Sequence, residues 1–148
     1  MIRIFITVVG WIMIVFLLFC SLPVYSQGAK QTIVFNNTGR KGGKVYVAFY
    51  NREADFLKEE KMCMGKTVEI NARGLATISF ENIASGTYAI AAFLDENGNG
   101  KMDTNFFGIP KEKYGFSNNI RPMMRAATFK EASFAVTNKE STIHIKLK

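Results

Sequence analysis

Short segments of alternating apolar and polar residues dominate the chain from residue 32 onward. In the stretch from Lys44 to Tyr50, for example, Val45, Val47 and Phe49 fall on one face of an extended strand. This period of two is typical of half-buried β-strands. We therefore predict an all-β fold, a single antiparallel β-sandwich of about seven strands. The predicted strands are 32–35, 44–50, 66–70, 75–80, 86–94, 128–136 and 141–147.

Two details of the strand arrangement follow from the residues between and within these segments. Strands 66–70 and 75–80 are separated only by the turn-forming residues Asn71 to Gly74, so we predict that they pair as a hairpin. The segment from Gly86 to Leu94 is nearly apolar on both faces, which predicts a strand in the centre of a sheet.

The segment 95–127 interrupts the alternating pattern. It is rich in Gly, Pro and Asn and shows no sustained period. A loop of this length is uncommon in a small domain unless it is functional or pinned in place. We expect an ordered loop that packs over one end of the sandwich. Its candidate anchors are the aromatic residues Phe106, Phe107, Tyr114 and Phe116.

The start of this segment has the spacing of a calcium-binding loop. Oxygen-bearing side chains recur at alternate positions, a glycine occupies the sixth position, and a further carboxylate occupies the ninth. A hard cation such as Ca²⁺ takes six to eight oxygen ligands, which a tight glycine-rich turn can aim at one point. The predicted ligands are Asp95, Asn97, Asn99, the backbone carbonyl of Lys101, Asp103 and Glu112.

The loop is not that of an EF-hand, and a simpler interpretation exists. A strand precedes it instead of a helix, and position twelve is Phe106 instead of glutamate, so we assign the missing carboxylate to Glu112. The alternative is a polar hairpin turn, because Asn97-Gly98 and Asn99-Gly100 are both favoured turn pairs. Asp103 favours the calcium loop, because a bare two-residue turn does not require it.

The first 26 residues have the organisation of a secretory signal peptide. Arg3 is followed by an uncharged, largely apolar run from residue 4 to residue 22, and a cleavage site is predicted between Ser26 and Gln27. The competing interpretation is an uncleaved anchor, because the run approaches the length of a membrane span. We expect cleavage, which leaves a periplasmic or secreted domain of residues 27–148 with no membrane span.

Charge and cysteine content restrict the possible partners. The formal net charge is +7 at pH 7, but the basic residues are scattered and form no recognisable nucleic-acid motif. We therefore do not expect nucleic acid as a partner. Only Cys63 remains after the predicted cleavage, so no intramolecular disulfide can form in the mature domain. We expect a monomer.

Two sequence motifs resemble those of a known bacterial family. Asp95 to Asp103 reads D-x-N-x-N-G-x-x-D, and Gly108 to Asn118 reads G-I-P-x-E-x-Y-G-F-S-N. With the preceding Gly86-Thr87-Tyr88-Ala89, they resemble the secreted family called domain of unknown function 2141, over residues 32–148. The resemblance implies a prealbumin-like or immunoglobulin-like sandwich and no particular activity. Leu94 departs from the family, in which a histidine is common at this position.

Two functions fit these observations. The first is a binding or interaction module of the bacterial cell envelope, stabilised by calcium, with a protein or glycan partner. The second is a secreted hydrolase-like enzyme that uses acidic and tyrosine residues of the same loop, such as Asp103, Glu112 and Tyr114. The spacing of the acidic residues suits coordination better than proton transfer, which favours the module.

Overall fold

The alternating segments form two packed sheets in the computed structural model, which describes residues 28–36, 39 and 42–148. The predicted signal peptide, residues 1–26, lies outside these residues. Within the described part there are eight strands, one short α-helix and three single turns of 3₁₀-helix. The strands are β1 (Ala29–Asn36), β2 (Lys44–Tyr50), β3 (Met64–Glu69), β4 (Ala76–Ile83), β5 (Gly86–Asp95), β6 (Tyr114–Phe116), β7 (Ser133–Val136) and β8 (Ser141–Lys146). The helix is α1 (Phe129–Ala132), and the 3₁₀ turns are Glu53–Asp55, Glu59–Lys61 and Ser117–Asn119.

The strand pairing confirms the all-β sandwich, with one parallel pair. One sheet has the order β4-β1-β8, and the other has the order β3-β2-β5-β6, with β7 also paired to β5. All pairs are antiparallel except β1 and β8. The alternation of apolar residues in β8 places Ile145 in the core whichever way the strand runs, so the sequence pattern does not report strand direction.

The core lies between the two sheets and contains the residues that the alternation predicts. Val45, Val47 and Phe49 of β2 are buried against apolar side chains of the opposite sheet, including Ile33 and Phe35 of β1. The aromatic rings of Phe49 and Phe80 pack with their centroids 4.5 Å apart. Burial of such side chains, at about 25 cal/mol per Å² of apolar surface, is the main stabilising term of the domain.

A second apolar cluster covers the outer face of the β5 sheet. It consists of Ala89, Phe116, Ala127 and Ala132, with Phe56 and Phe129 packed against it. Because β5 is buried on both faces, its sequence is nearly continuous in apolar residues, and the prediction of a central strand is confirmed.

The predicted hairpin of strands 66–70 and 75–80 is wrong. β3 pairs with β2, whereas β4 pairs with β1 in the other sheet. The turn between them is tight, since the Asn71 side chain accepts hydrogen bonds from the N–H groups of Arg73 and Leu75. A hairpin and a corner that passes from one sheet to the other use the same turn residues, so local sequence does not distinguish them.

The segment 95–127 is ordered but is not a single loop. It contains β6 and the 3₁₀ turn that follows it, which the sequence pattern did not predict. β6 has only three residues, one of them Gly115, which is too few to display a period of two. β6 also connects the two sheets, because Tyr114 exchanges backbone hydrogen bonds of 3.1 Å with Lys148, just beyond β8.

Candidate metal-binding loop

The candidate loop begins where β5 ends, at one end of the sandwich. Asp95 is the last residue of β5 and lies opposite Lys44, the first residue of β2. Only 3% of the Asp95 surface is exposed. The sheet therefore fixes the first predicted ligand, while the residues that follow it leave the strand and turn back.

The Asp95 carboxylate holds the turn together. Its Oδ1 accepts a hydrogen bond of 2.7 Å from the Gly98 N–H, and its Oδ2 accepts one of 2.9 Å from the Gly100 N–H. Both glycines have positive φ angles, 81° and 76°, which favour glycine over residues with a side chain. The two Asn-Gly pairs of the sequence are thus required by the backbone path around Asp95.

The side chains of Asn97 and Asn99 converge on Asp103. The Asn97 amide donates to Asp103 Oδ2 at 2.6 Å, and the Asn99 amide donates to Asp103 Oδ1 at 3.1 Å. Each asparagine also accepts a backbone hydrogen bond through its Oδ1, from the N–H of Asn99 and of Lys101 respectively. The predicted ligand positions three, five and nine therefore face one another across the turn.

Glu112 closes the loop from the far end of the connection. Its Oε1 accepts a hydrogen bond of 2.8 Å from the Glu96 N–H, and its Oε2 accepts one of 3.2 Å from the Asp103 N–H. The residue is only 7% exposed. Glu112 is the nearest acidic residue downstream of the loop in sequence, and in the structure it contacts both ends of the loop.

Lys101 lies on the exposed side of the loop, where its N–H bonds to Asn99. Five of the six predicted residues thus lie in the turn 95–103, and Glu112 contacts this turn through the N–H groups of Glu96 and Asp103. Their role as metal ligands stays a prediction. Within the described residues, no group of three or more His, Cys, Asp or Glu side chains is clustered so as to hold a metal ion. The predicted ligand set also includes two asparagines and a backbone carbonyl.

Tyr46 borders the loop and was not identified from sequence. Its ring stacks on Phe93 at a centroid distance of 5.0 Å and an interplanar angle of 9°. Its hydroxyl lies against Gly100, where a Cβ atom would come within 3.2 Å of the hydroxyl oxygen. Tyr46 lies on the outer face of β2, and the alternating pattern predicts only that its side chain points away from the core.

The predicted aromatic anchors divide into two groups. Phe116 is buried and Tyr114 is half-buried, in agreement with the prediction. Phe106 and Phe107 are exposed, so the prediction that they pack the segment down is wrong. They occupy a small hairpin, residues 104–110, in which Thr104 bridges to Pro110 and the Asn105 side chain accepts hydrogen bonds from the N–H groups of Phe107 and Ile109.

The Ser117-Asn118-Asn119 motif joins neighbouring strands. β7 pairs with β5 up to Ala89, and β6 pairs with β5 from Ala91, which leaves Ile90 between them. The Ser117 hydroxyl fills this break, accepting a hydrogen bond of 2.9 Å from the Ile90 N–H and donating one of 2.5 Å to the Ala132 carbonyl.

The two asparagines of this motif extend the same network. Asn118 donates to the carbonyls of Glu131 and Ser133. Asn119 donates to the carbonyl of His144 and accepts from the N–H of Lys146, both in β8. The motif therefore has a structural role. Ser117 is fully buried within it. The His144 side chain is exposed on β8.

The sequence profile of the bacterial family described as "Uncharacterized protein conserved in bacteria (DUF2141)" matches residues 33–144. The chain belongs to this family. The DUF2141 match extends from β1 to β8 and so includes both sheets and the whole candidate loop. No curated protein matches the chain.

For the described residues, the structure contains no helix long and apolar enough to cross a membrane.

Proposed function

We propose that this DUF2141 protein is an exported interaction module of the bacterial cell envelope whose β5–β6 connection is stabilised by a calcium ion. The proposed ligands are those predicted from sequence. Export rests on the signal peptide pattern of residues 1–26. The partner would be a protein, a glycan or another component of the envelope.

The observation that carries the calcium proposal is the convergence of Asn97, Asn99 and Asp103 beside the buried carboxylate of Asp95. Each proposed side-chain ligand has an oxygen atom to offer, and oxygen is the ligand that Ca²⁺ prefers. The amide nitrogens of Asn97 and Asn99 face Asp103, so calcium binding would require the two amide groups to turn their oxygen atoms toward the ion. Carboxylate and amide oxygens have more than one lone pair, so each can accept a backbone hydrogen bond and still face a cation. The chemistry of the site therefore fits a hard cation.

Calcium would bind a connection that leads directly to the rest of the segment 95–127. Asp95 and Glu112 both hold backbone N–H groups of the loop. A cation shared by these residues would add attraction between the two ends of the connection. The expected result is a more stable fold, since a ligand that binds only the native state stabilises it by mass action.

Thermal unfolding of residues 27–148, which contain both described sheets, tests the proposal. We expect calcium to raise the midpoint and EDTA to lower it. At a calcium concentration a hundredfold above Kd, the stabilisation is about 2.7 kcal/mol, which corresponds to a shift on the order of 10 °C for a domain of this size. Identical melting curves in calcium and EDTA would contradict the calcium site and favour the alternative interpretation, a polar turn without a metal.

A further inference from the structure

Three apolar side chains lie on the tip of the hairpin 104–110, immediately after the candidate loop. Phe106 is 97% exposed, Phe107 is 82% exposed and Ile109 is 58% exposed. The two phenylalanine rings pack edge to face, 5.5 Å apart. Among the described residues they do not join either apolar cluster of the domain. Residues 106–109 are called the hairpin tip below.

The hairpin tip is held rigidly by its own backbone and by Asn105. The Asn105 N–H donates to the Ile109 carbonyl at 2.8 Å, and the Gly108 N–H donates to the Asn105 carbonyl at 2.9 Å. The Asn105 side chain accepts two further backbone hydrogen bonds inside the turn. The backbone that carries the exposed rings is therefore held in one conformation, which lowers the backbone entropy lost on binding.

Basic side chains flank the hairpin tip. Lys101 and Lys111 are exposed, and the Lys111 N–H bonds to the Asp103 carbonyl at the base of the hairpin. Two carboxylates of the same connection, those of Asp95 and Glu112, are buried and bonded to backbone N–H groups. The other two acidic residues of this connection are Glu96, which is exposed, and Asp103, which is half-buried and accepts hydrogen bonds from Asn97 and Asn99. Without Arg3, residues 27–148 have 18 basic and 12 acidic residues, a net charge of 18 − 12 = +6.

We propose that the hairpin tip inserts into an anionic lipid surface. This inference rests on the proposed function, because it names the partner of the interaction module. A convex apolar tip with nearby lysines suits the boundary between acyl chains and anionic headgroups. Each aromatic side chain buries roughly 150–250 Å², so the tip offers on the order of 500 Å², less than the roughly 800 Å² that each partner contributes to a standard protein interface.

Vesicle co-sedimentation of residues 27–148 tests the inference. The vesicles contain either phosphatidylcholine alone or equal amounts of phosphatidylcholine and phosphatidylglycerol, each with calcium and with EDTA. We expect the protein to sediment with the mixed vesicles and to be released by high salt, because salt screens the lysines. The double variant Phe106→Ser/Phe107→Ser should lose at least about tenfold in partition coefficient, since it removes two large apolar side chains.

The matched control is Met123→Ser/Met124→Ser, which removes two apolar side chains that are 88% and 103% exposed elsewhere on the surface. We expect this variant to bind the mixed vesicles as the wild-type protein does. Equal losses in the two double variants would overturn the inference, because binding would then reflect general surface hydrophobicity. Failure of the wild-type protein to bind any vesicle would also overturn the inference and would favour a protein partner with an apolar groove for the hairpin tip.

The melting curves of the same proteins separate this inference from the calcium proposal. A calcium-dependent midpoint without vesicle binding overturns the lipid inference and leaves the calcium site standing. The opposite result is vesicle binding in EDTA that depends on Phe106 and Phe107, together with a melting midpoint that is the same in calcium and EDTA. This result supports the lipid inference and overturns the calcium site. Both double variants should melt as the wild-type protein does, since neither removes a buried side chain.

Discussion

The Glu112 carboxylate accepts a hydrogen bond of 2.8 Å from the backbone N–H of Glu96, sixteen residues earlier in the chain. Its second oxygen accepts from the N–H of Asp103. Glu112 thus holds both ends of the candidate loop through backbone hydrogen bonds, in addition to being the proposed replacement for the ligand absent at Phe106. These two roles can be separated by experiment.

Glu112→Gln should lower both the stability of the metal-free domain and its affinity for calcium. Glutamine keeps the shape of the side chain but has a single acceptor oxygen, so one partly buried backbone N–H faces an amide N–H₂ group. Leaving such a group unsatisfied costs about 1–3 kcal/mol. The measurements are urea unfolding in EDTA and the calcium-induced shift in melting midpoint. A lower stability with an unchanged calcium shift would show that Glu112 braces the loop without binding the ion.

Asp95→Ala should abolish the calcium shift, whereas Asn97→Ala and Asn99→Ala should only weaken it. Asp95 contributes a full negative charge from a buried position, and each asparagine contributes one neutral oxygen. Calcium titration followed by melting or calorimetry gives the order of affinities. His144→Ala is the control, because its imidazole is exposed on β8 and hard cations prefer oxygen ligands. Loss of the calcium shift in His144→Ala would mean that the metal site is elsewhere.

The sequence predicts the sandwich well because burial in a sheet has a period of two, which is visible in β2 without any knowledge of its partners. Pairing is harder to predict, because the residues of Asn71 to Gly74 specify a tight turn and not the sheet to which the next strand belongs. Phe106 and Phe107 show a second limit. Their hydrophobicity suggests burial, but the hydrogen bonds from the turn to Asn105 leave both rings in solvent.

The candidate loop shows a similar division. Alternating oxygen-bearing residues and Gly100 predict that Asp95, Asn97 and Asn99 share a turn, because these positions are close in sequence. The contacts of Glu112 depend on how the chain returns from the hairpin to β6, and the path of that return is set by tertiary packing. The structural role of Ser117 likewise cannot be predicted from sequence, because it depends on the break between β6 and β7 where both pair with β5.

Ser117→Ala should destabilise the domain by about 1–3 kcal/mol without altering the calcium shift. The substitution leaves the buried N–H of Ile90 and the carbonyl of Ala132 without their hydroxyl partner. Ser85→Ala is the matched control: Ser85 is exposed, water can replace its bond to Asn138, and the expected change is within about 0.5 kcal/mol. Chemical denaturation measures both variants, and equal stabilities would contradict the bridging role of Ser117.

The start of α1 provides a pH-dependent contribution to stability. Arg125 donates two hydrogen bonds to the Glu131 carboxylate, at 2.9 and 2.7 Å, and the N–H and hydroxyl of Thr128 donate to the same group. The hydrogen bonds from Arg125, followed by those from Thr128, lower the pKa of Glu131 from 4.5 to about 2. Glutamate bonded in this way caps the first turn of the helix, with Thr128 as the reciprocal partner.

Glu131→Gln should therefore lower stability at neutral pH and should make little difference in strong acid. A carboxyl group whose pKa is lower in the folded state contributes stability above its unfolded pKa and loses that contribution as the pH falls through the folded value. For Glu131 the window runs from the ordinary value of 4.5 down to about 2. Because the Arg125–Glu131 pair is partly open to solvent, with 53% and 34% of the two side chains exposed, the contribution should be small and should decrease with added salt. Urea unfolding across this pH range measures it, with the exposed Glu140→Gln as control. A stability difference between wild type and Glu131→Gln that stays constant from neutral pH to pH 2 would contradict the assignment.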